Sequence, residues 1–216
     1  MTATPPLDRP RRLRLALWTS AATLALALGG ALLWKELSPP RPPEVRLTGE
    51  ADIRSDFALT DHTGRAVTEA DFAGRWQLVF FGFIFCPDVC PTTLAYLASV
   101  LDLLGDDADR VAPLFITVDP ARDTVPVMAD YVAAFHPRLI GLPGTEAETA
   151  AVVRGFRAWG ERMEEDTTPG GYRMAHSGHL YLMRPDGRFE AVFLESGQPP
   201  ERLAEEILLR IEGEER

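Results

Sequence analysis

The run "WQLVFFGFIF", residues 76–85, constrains the chain more than any other stretch. Ten consecutive residues without a charge, rich in aromatic and branched side chains, suit a strand buried on both faces. Such a strand needs neighbours on either side and a layer above and below it, so it belongs at the centre of a sheet.

The run ends in "CPDVCP", where Cys86 and Cys90 are the only two cysteines of the chain. "TTLAYLASVLDLLG" follows, with Leu94, Leu97, Val100, Leu101 and Leu104 at helical spacing and Gly105 placed to stop the helix. Both thiols therefore stand where a central strand hands over to a helix. If the first turn is helical, i, i+4 spacing brings them to one face. Three chemistries are then open: a disulfide, a thiolate pair activated by the helix N-terminus, or a two-sulfur site for Cu(I) or Zn(II). An inert staple is the bland alternative, although closing so small a loop removes little chain entropy.

The rest of the pattern alternates short strands with helices. "FALTDHTGRAV" reads as two strands about a turn at Asp61 to Gly64, and "TEADFAG" as a short helix capped by Thr68. "VAPLFITVD", 111–119, is a second buried strand, and "VPVMADYVAAFH" a helix with Pro126 in its first turn. "RLIGLPG" is a strand candidate, and "TEAETAAVVRGFRAWG" a helix capped by Thr145. "HLYLMRPDGRFEAVFL" forms a hairpin about Pro185-Asp186-Gly187, and "PPERLAEEILLRIEG" a closing amphipathic helix. This order predicts an α/β fold with a mixed sheet flanked by helices. "EEDTTPGGYRMAHSG", 164–178, reads as a mobile polar loop.

Upstream, residues 15–34, "LALWTSAATLALALGGALLW", contain no charged side chain. Twenty helical residues at ~1.5 Å each match the ~30 Å hydrocarbon layer. Arg9, Arg11, Arg12 and Arg14 crowd the N-terminal side, which places residues 1–14 in the cytoplasm by the positive-inside rule. Ala25 and Ala27 form an A-x-A pattern, the mark of a cleaved signal, but the run is longer than such signals use. A single-pass inner-membrane anchor is the expectation. Residues 35–50 hold four prolines within five positions and suit an extended linker. The domain, 51–216, is then expected on the periplasmic, extracytoplasmic side, where disulfides can form. The first 14 residues carry four arginines and Asp8, a net +3, so of the chain's formal charge of −10 the remainder bears −13. That balance argues against a nucleic-acid partner.

Two thiolates rarely complete a metal site, which turns attention to the four histidines. His62 falls in a turn with polar neighbours and reads as a solvated residue. His136 ends a helix and suits the helix dipole. His179 begins a strand in alternation with Tyr181 and Met183, and His176 precedes it in the polar loop, so position favours His176 as a third ligand.

The membrane anchor, "FCPDVCP", "TVDPARDT" from Thr117 to Thr124, and a histidine ahead of "LMRPDG" together resemble the Sco/SenC family of copper-binding assembly proteins for cytochrome c oxidase. The likeness covers roughly residues 50–212. It implies a thioredoxin-like fold in which the family's two motif cysteines fall on Cys86 and Cys90 and its histidine on His176, with His179 as a nearby alternate. It also implies copper, as Cu(I) or Cu(II), as the bound ion. Asp119 matches a family motif near the copper site and is a candidate for support behind the ligands, although Asp-Pro is also an ordinary turn start and Arg122 with Asp123 a possible local ion pair. Asp88 reads as a residue that keeps the dithiol loop wet.

Two functions follow from the resemblance. One is a metallochaperone that takes copper from a periplasmic donor to the copper centre of cytochrome c oxidase subunit II. The other is a membrane-tethered thiol-disulfide reductase, with Cys86 attacking and Cys90 resolving, that keeps the target's metal-binding cysteines reduced. No Ser-His-Asp ordering, phosphate loop or paired-carboxylate motif competes with the dithiol, so any enzymatic activity is expected to be thiol-disulfide exchange.

Overall fold

The computed structural model describes residues 53–164, 170–194 and 197–214, and in the N-terminal segment the five positions 17, 18, 20, 23 and 29. The chain divides into two units, Met1–Glu44 and Val45–Arg216. In the first, the five described positions are helical, with the Ser20 hydroxyl donating to the Leu17 carbonyl at 3.0 Å. The rest of the expected 15–34 span and the 35–50 linker lie outside the described residues. Among those described, no helix is long and apolar enough to cross a membrane.

The second unit opens with strands β1 (Ala58–Thr60) and β2 (Ala66–Thr68), an antiparallel pair whose turn is held by Asp61, which accepts from the Thr63 and Arg65 amides. A short 3-10 helix follows, its start fixed by the Asp71 carboxylate accepting the Thr68 amide at 2.8 Å. Then come β3 (Trp76–Gly82), α1 (Val89–Leu104), β4 (Val111–Thr117), α2 (Val125–Ala133), β5 (Ile140–Leu142) and α3 (Glu146–Gly155). The chain closes with β6 (Gly160–Glu164), β7 (Tyr172–His176), β8 (His179–Met183), β9 (Phe189–Leu194) and α4 (Pro200–Glu214).

The main sheet runs β5-β4-β3-β8-β9, with β3, β4 and β5 parallel and β8 and β9 antiparallel to their neighbours. Parallel neighbours need crossovers, which α1 and α2 supply. Every residue of β3 and β4 is buried, as the unbroken apolar runs predict. Their side chains alternate between two packed layers. Phe80 stacks on Phe115, which meets Tyr131 of α2; from the opposite side of β3, Phe81 packs edge-on against Phe156 and Tyr181. Leu94, Leu97, Val100, Leu101 and Leu104 of α1 are all buried, as their spacing requires, with Leu203, Ile207 and Ile211 of α4.

Three expectations are corrected. The central strand stops at Gly82 and not at Phe85, because the Asp123 carboxylate takes the Ile84 amide and the Cys86 amide turns back to the Phe83 carbonyl. The helix expected over 145–160 ends at Gly155, where Phe156 turns into the core and Arg157 adopts a left-handed φ of 50°. Within the expected loop over 164–178, Glu164 and Tyr172–His176 are strand: β6 and β7 pair from Gly160↔His176 to Glu164↔Tyr172. All five residues of β6 are exposed, so it has no apolar face by which its sequence could announce a strand.

Phe81→Ala tests the two-layer core. Removal of a fully buried ring that touches two others is expected to cost about 3–5 kcal/mol, read as a lower urea midpoint at an unchanged m-value.

Candidate metal centre

Cys86 lies in the turn after β3 and is half-buried; Cys90 is the second residue of α1 and has no exposed surface. Both are free thiols. Their proximity does not come from a shared helical turn, because the helix begins only at Val89. Instead the Cys86 sulfur sits over the start of α1 and accepts the Cys90 amide at 3.5 Å, as an oxygen cap would. The Cys90 sulfur packs against the end of β3: a Cβ added at Gly82 would stand 2.8 Å from it and 2.7 Å from the Phe115 ring. Only glycine leaves room for sulfur there.

His176 ends β7 and faces this pair, its Nε2 lying 3.3 Å from the Cys90 sulfur. Phe83 and Phe80 meet the imidazole edge-on, with centroids 5.7 and 6.0 Å away. Its Nδ1 is 3.1 Å from the Ser177 carbonyl. A carbonyl oxygen only accepts, so this contact places the proton on Nδ1 and leaves the Nε2 lone pair toward the sulfurs. The two sulfurs and one imidazole nitrogen lie within 4.8 Å of one another. A donor set of that softness suits copper or zinc over hard cations.

The Cys86 thiol is lowered from its ordinary 9.0 to about 3. The hydrogen bond from Cys90 is the largest cause; burial opposes it, and His176 with the Cys90 and Asp88 amides adds to the lowering. Cys86 is thus a thiolate at neutral pH. Burial, with the two nearby sulfur charges, pushes the Tyr131 phenol up.

Behind the dithiol, the expected Arg122–Asp123 pair is replaced by two separate arrangements. Arg122 pairs with Asp119 at 2.5 Å, and Asp119 also accepts the Tyr172 hydroxyl at 2.8 Å. Asp123 is fully buried and accepts from the Thr117 hydroxyl at 2.6 Å and the Ile84 amide at 3.2 Å; burial pushes it up to about 6. Asp119 stands behind the site and is not one of the converging ligand groups. Asp88 is exposed, as expected.

His179 starts β8 beside Tyr181 and lies outside the cluster. His136 lies 3.6 Å from Asp102 and accepts the Arg138 amide, a partnered role beyond the helix end. His62, expected as a solvated turn residue, is half-buried and partnered: its backbone amide donates to the Gly141 carbonyl and its ring accepts the Gly141 amide, covering the free edge of β5. Sequence reasoning missed Gly82 and Tyr172, and gave Asp123 a local ion pair where it holds the Thr117 hydroxyl and the Ile84 amide. Gly82 alone had a visible signal, as the one residue without a side chain in a run of bulky ones.

A family model described as SCO1/SenC matches residues 45–212. The mitochondrial SCO2 homolog of Danio rerio is 48% identical over 176 residues, 77% of this chain and 63% of that protein, so the chain spans less than two thirds of that relative's length. Among solved structures, Bradyrhizobium japonicum ScoI with copper bound is 42% identical at a TM-score of 0.67, covering 72% of this chain and 97% of that one. Arabidopsis thaliana ScoI with copper bound is 36% identical at 0.68, covering 74% and 99%.

The depressed Cys86 thiol gives a signed pH dependence. Stability supplied by its ionisation is fully present above the unfolded value near 9.0, declines as pH falls, and is gone below about 3. Alkylation of Cys86 in the metal-free protein should therefore persist at about pH 5, where an ordinary thiol is nearly silent. A Cys86 alkylation midpoint near that of free cysteine would contradict the geometry. Gly82→Ala should displace the Cys90 sulfur and raise that midpoint, measured by the same titration.

Proposed function

The chain belongs to the SCO1/SenC family, and from that premise we propose that it is a copper metallochaperone: Cys86, Cys90 and His176 bind one copper ion and hand it to the copper centre of cytochrome c oxidase subunit II. The observation that carries this reading is the convergence of two sulfurs and an imidazole nitrogen within 4.8 Å at a partly exposed turn. Two thiolates favour Cu(I), and an imidazole with a free Nε2 lone pair lets the same site hold Cu(II). The protein's part in transfer follows from unequal burial. Cys90, wholly enclosed, retains the cargo, while half-exposed Cys86 is where an incoming ligand from the target begins the exchange.

In this proposal, residues 15–34 anchor the chain in the inner membrane, 1–14 face the cytoplasm, and 35–50 hold the domain, 51–216, on the periplasmic side within reach of a copper donor and of the oxidase. The charge-free run, its flanking arginines and the proline cluster support that placement.

A second reading rests on the half-buried, low-pKa thiolate of Cys86. As a thiol-disulfide reductase, Cys86 attacks a target disulfide and releases one target thiolate. Cys90 then attacks the Cys86 sulfur, releasing the second and leaving a Cys86–Cys90 disulfide. This role makes no use of His176 as a ligand.

Titration of the reduced full chain with Cu(I) and Cu(II), for the natural sequence and His176→Ala, separates the two. One copper per chain with a thiolate charge-transfer band, altered in the variant and with Cu(II) affinity down about tenfold or more, is the expected result. Dithiol oxidation without retained metal, indifferent to His176, would leave the reductase.

A further inference from the structure

Strands β6 and β7 form a two-stranded sheet of their own, hydrogen-bonded to no strand of the main sheet among the described residues. His176 is carried at the end of that hairpin, whereas Cys86 is carried by the turn after β3 and Cys90 by α1. His176 is joined to the main sheet through Ser177 and Gly178, which lead into β8, and among the described residues no pairing of β6 or β7 with that sheet sets its distance from the sulfurs. At the hairpin base, the Ser177 amide donates to the Trp159 carbonyl at 2.9 Å and the Trp159 amide to the Ser177 hydroxyl at 2.9 Å; these bonds join the hairpin to its own flanks.

A charged side chain also bridges the hairpin and the dithiol turn. Arg122, with 13% of its side chain exposed, is held by Asp119, itself 3% exposed. Its Nη1 donates to the Tyr172 carbonyl of β7 at 3.2 Å, and its guanidinium lies over the Tyr172 ring at 3.8 Å. The same guanidinium lies 4.9 Å from the ring centroid of Phe85, the neighbour of Cys86. Tyr172 is fixed independently by its hydroxyl on Asp119, and Arg162 of β6 covers the ring at 3.8 Å. The stack Phe85, Arg122, Tyr172, Arg162 thus runs from the dithiol turn to both strands of the hairpin.

We infer that Arg122 is a positioning residue for the three-ligand site: by clasping Tyr172 on one side and Phe85 on the other, it sets His176 against Cys86 and Cys90. Planarity matters, since a guanidinium donates in its plane and stacks across its faces at once, which an ammonium does not. The copper consequence rests on the metallochaperone reading; the positional one does not. Loss of the clasp leaves the two sulfurs together, because they are set by Gly82 and the start of α1, and frees only the imidazole. Cu(I) held by two thiolates should then be nearly unaffected, and Cu(II), which uses the nitrogen, should suffer.

The test uses the full chain with two variants. Arg122→Lys keeps a cation beside Asp119, and Asp119→Asn with Arg122→Leu removes both charges, so that no lone buried carboxylate unfolds the domain. In the metal-free protein, NMR contacts of the His176 ring with Phe80 and Phe83 should be lost in both variants, while contacts of Phe81 with Phe156 persist and report an intact core. With copper, Cu(II) affinity should fall about tenfold or more and Cu(I) affinity change less than about threefold. Retained His176–Phe83 contacts, or unchanged Cu(II) binding in both variants, overturn the inference. If the natural sequence takes up no Cu(II), the copper reading fails and the NMR contacts alone decide the role of Arg122.

Discussion

Burial of β3 on both faces is the constraint on which the rest of the domain depends. A strand with no exposed side chain must be flanked by strands and covered by two layers, and β4, β8, α1 and the Phe156–Tyr181 cluster meet those needs. The end of such a strand is then a rigid platform. Gly82 closes it, and the missing side chain becomes the berth of the Cys90 sulfur. The reactive turn is therefore built onto the most enclosed element of the fold, and Cys86 remains half-exposed because β3 has already ended.

Polar groups around the turn divide the work. Asp123, fully buried, holds the Ile84 amide and thereby sets where the strand stops. Asp119 holds Arg122 and Tyr172 and so reaches toward the hairpin. Two carboxylates four residues apart thus serve opposite sides of the same site, one securing the sulfurs' backbone and the other the histidine's strand. The cost of burying them is offset by hydrogen bonds and by one arginine.

Electrostatics follow from this layout. The Cys86 sulfur is stabilised as an anion by the hydrogen bond from Cys90 and by the amides at the start of α1. A thiolate held by donors that a metal ion would replace is prepared for binding without being permanently committed. Walls of Phe80 and Phe83 keep the imidazole in one orientation, and the Ser177 carbonyl sets its tautomer.

Much of this was written in local pattern. Unbroken apolar runs marked β3 and β4, helical spacing marked α1, and the cysteines' place at their junction marked the site, because periodicity and burial are properties of neighbouring residues. His176 was reachable by elimination among four histidines and by family likeness. The β6–β7 hairpin was not legible, since β6 buries no side chain and its pairing with β7 is made by backbone groups that every residue carries. Nor was the partner of Arg122: Asp119 and Asp123 lie on either side of it in sequence, and only the turn after β4 decides which carboxylate faces the guanidinium. Sequence by itself determined the layered α/β class and the identity of the two sulfurs. Tertiary structure alone decided how the imidazole meets them, because His176 stands eighty-six residues from Cys90, on a strand pair held in place by side-chain contacts that no local pattern encodes.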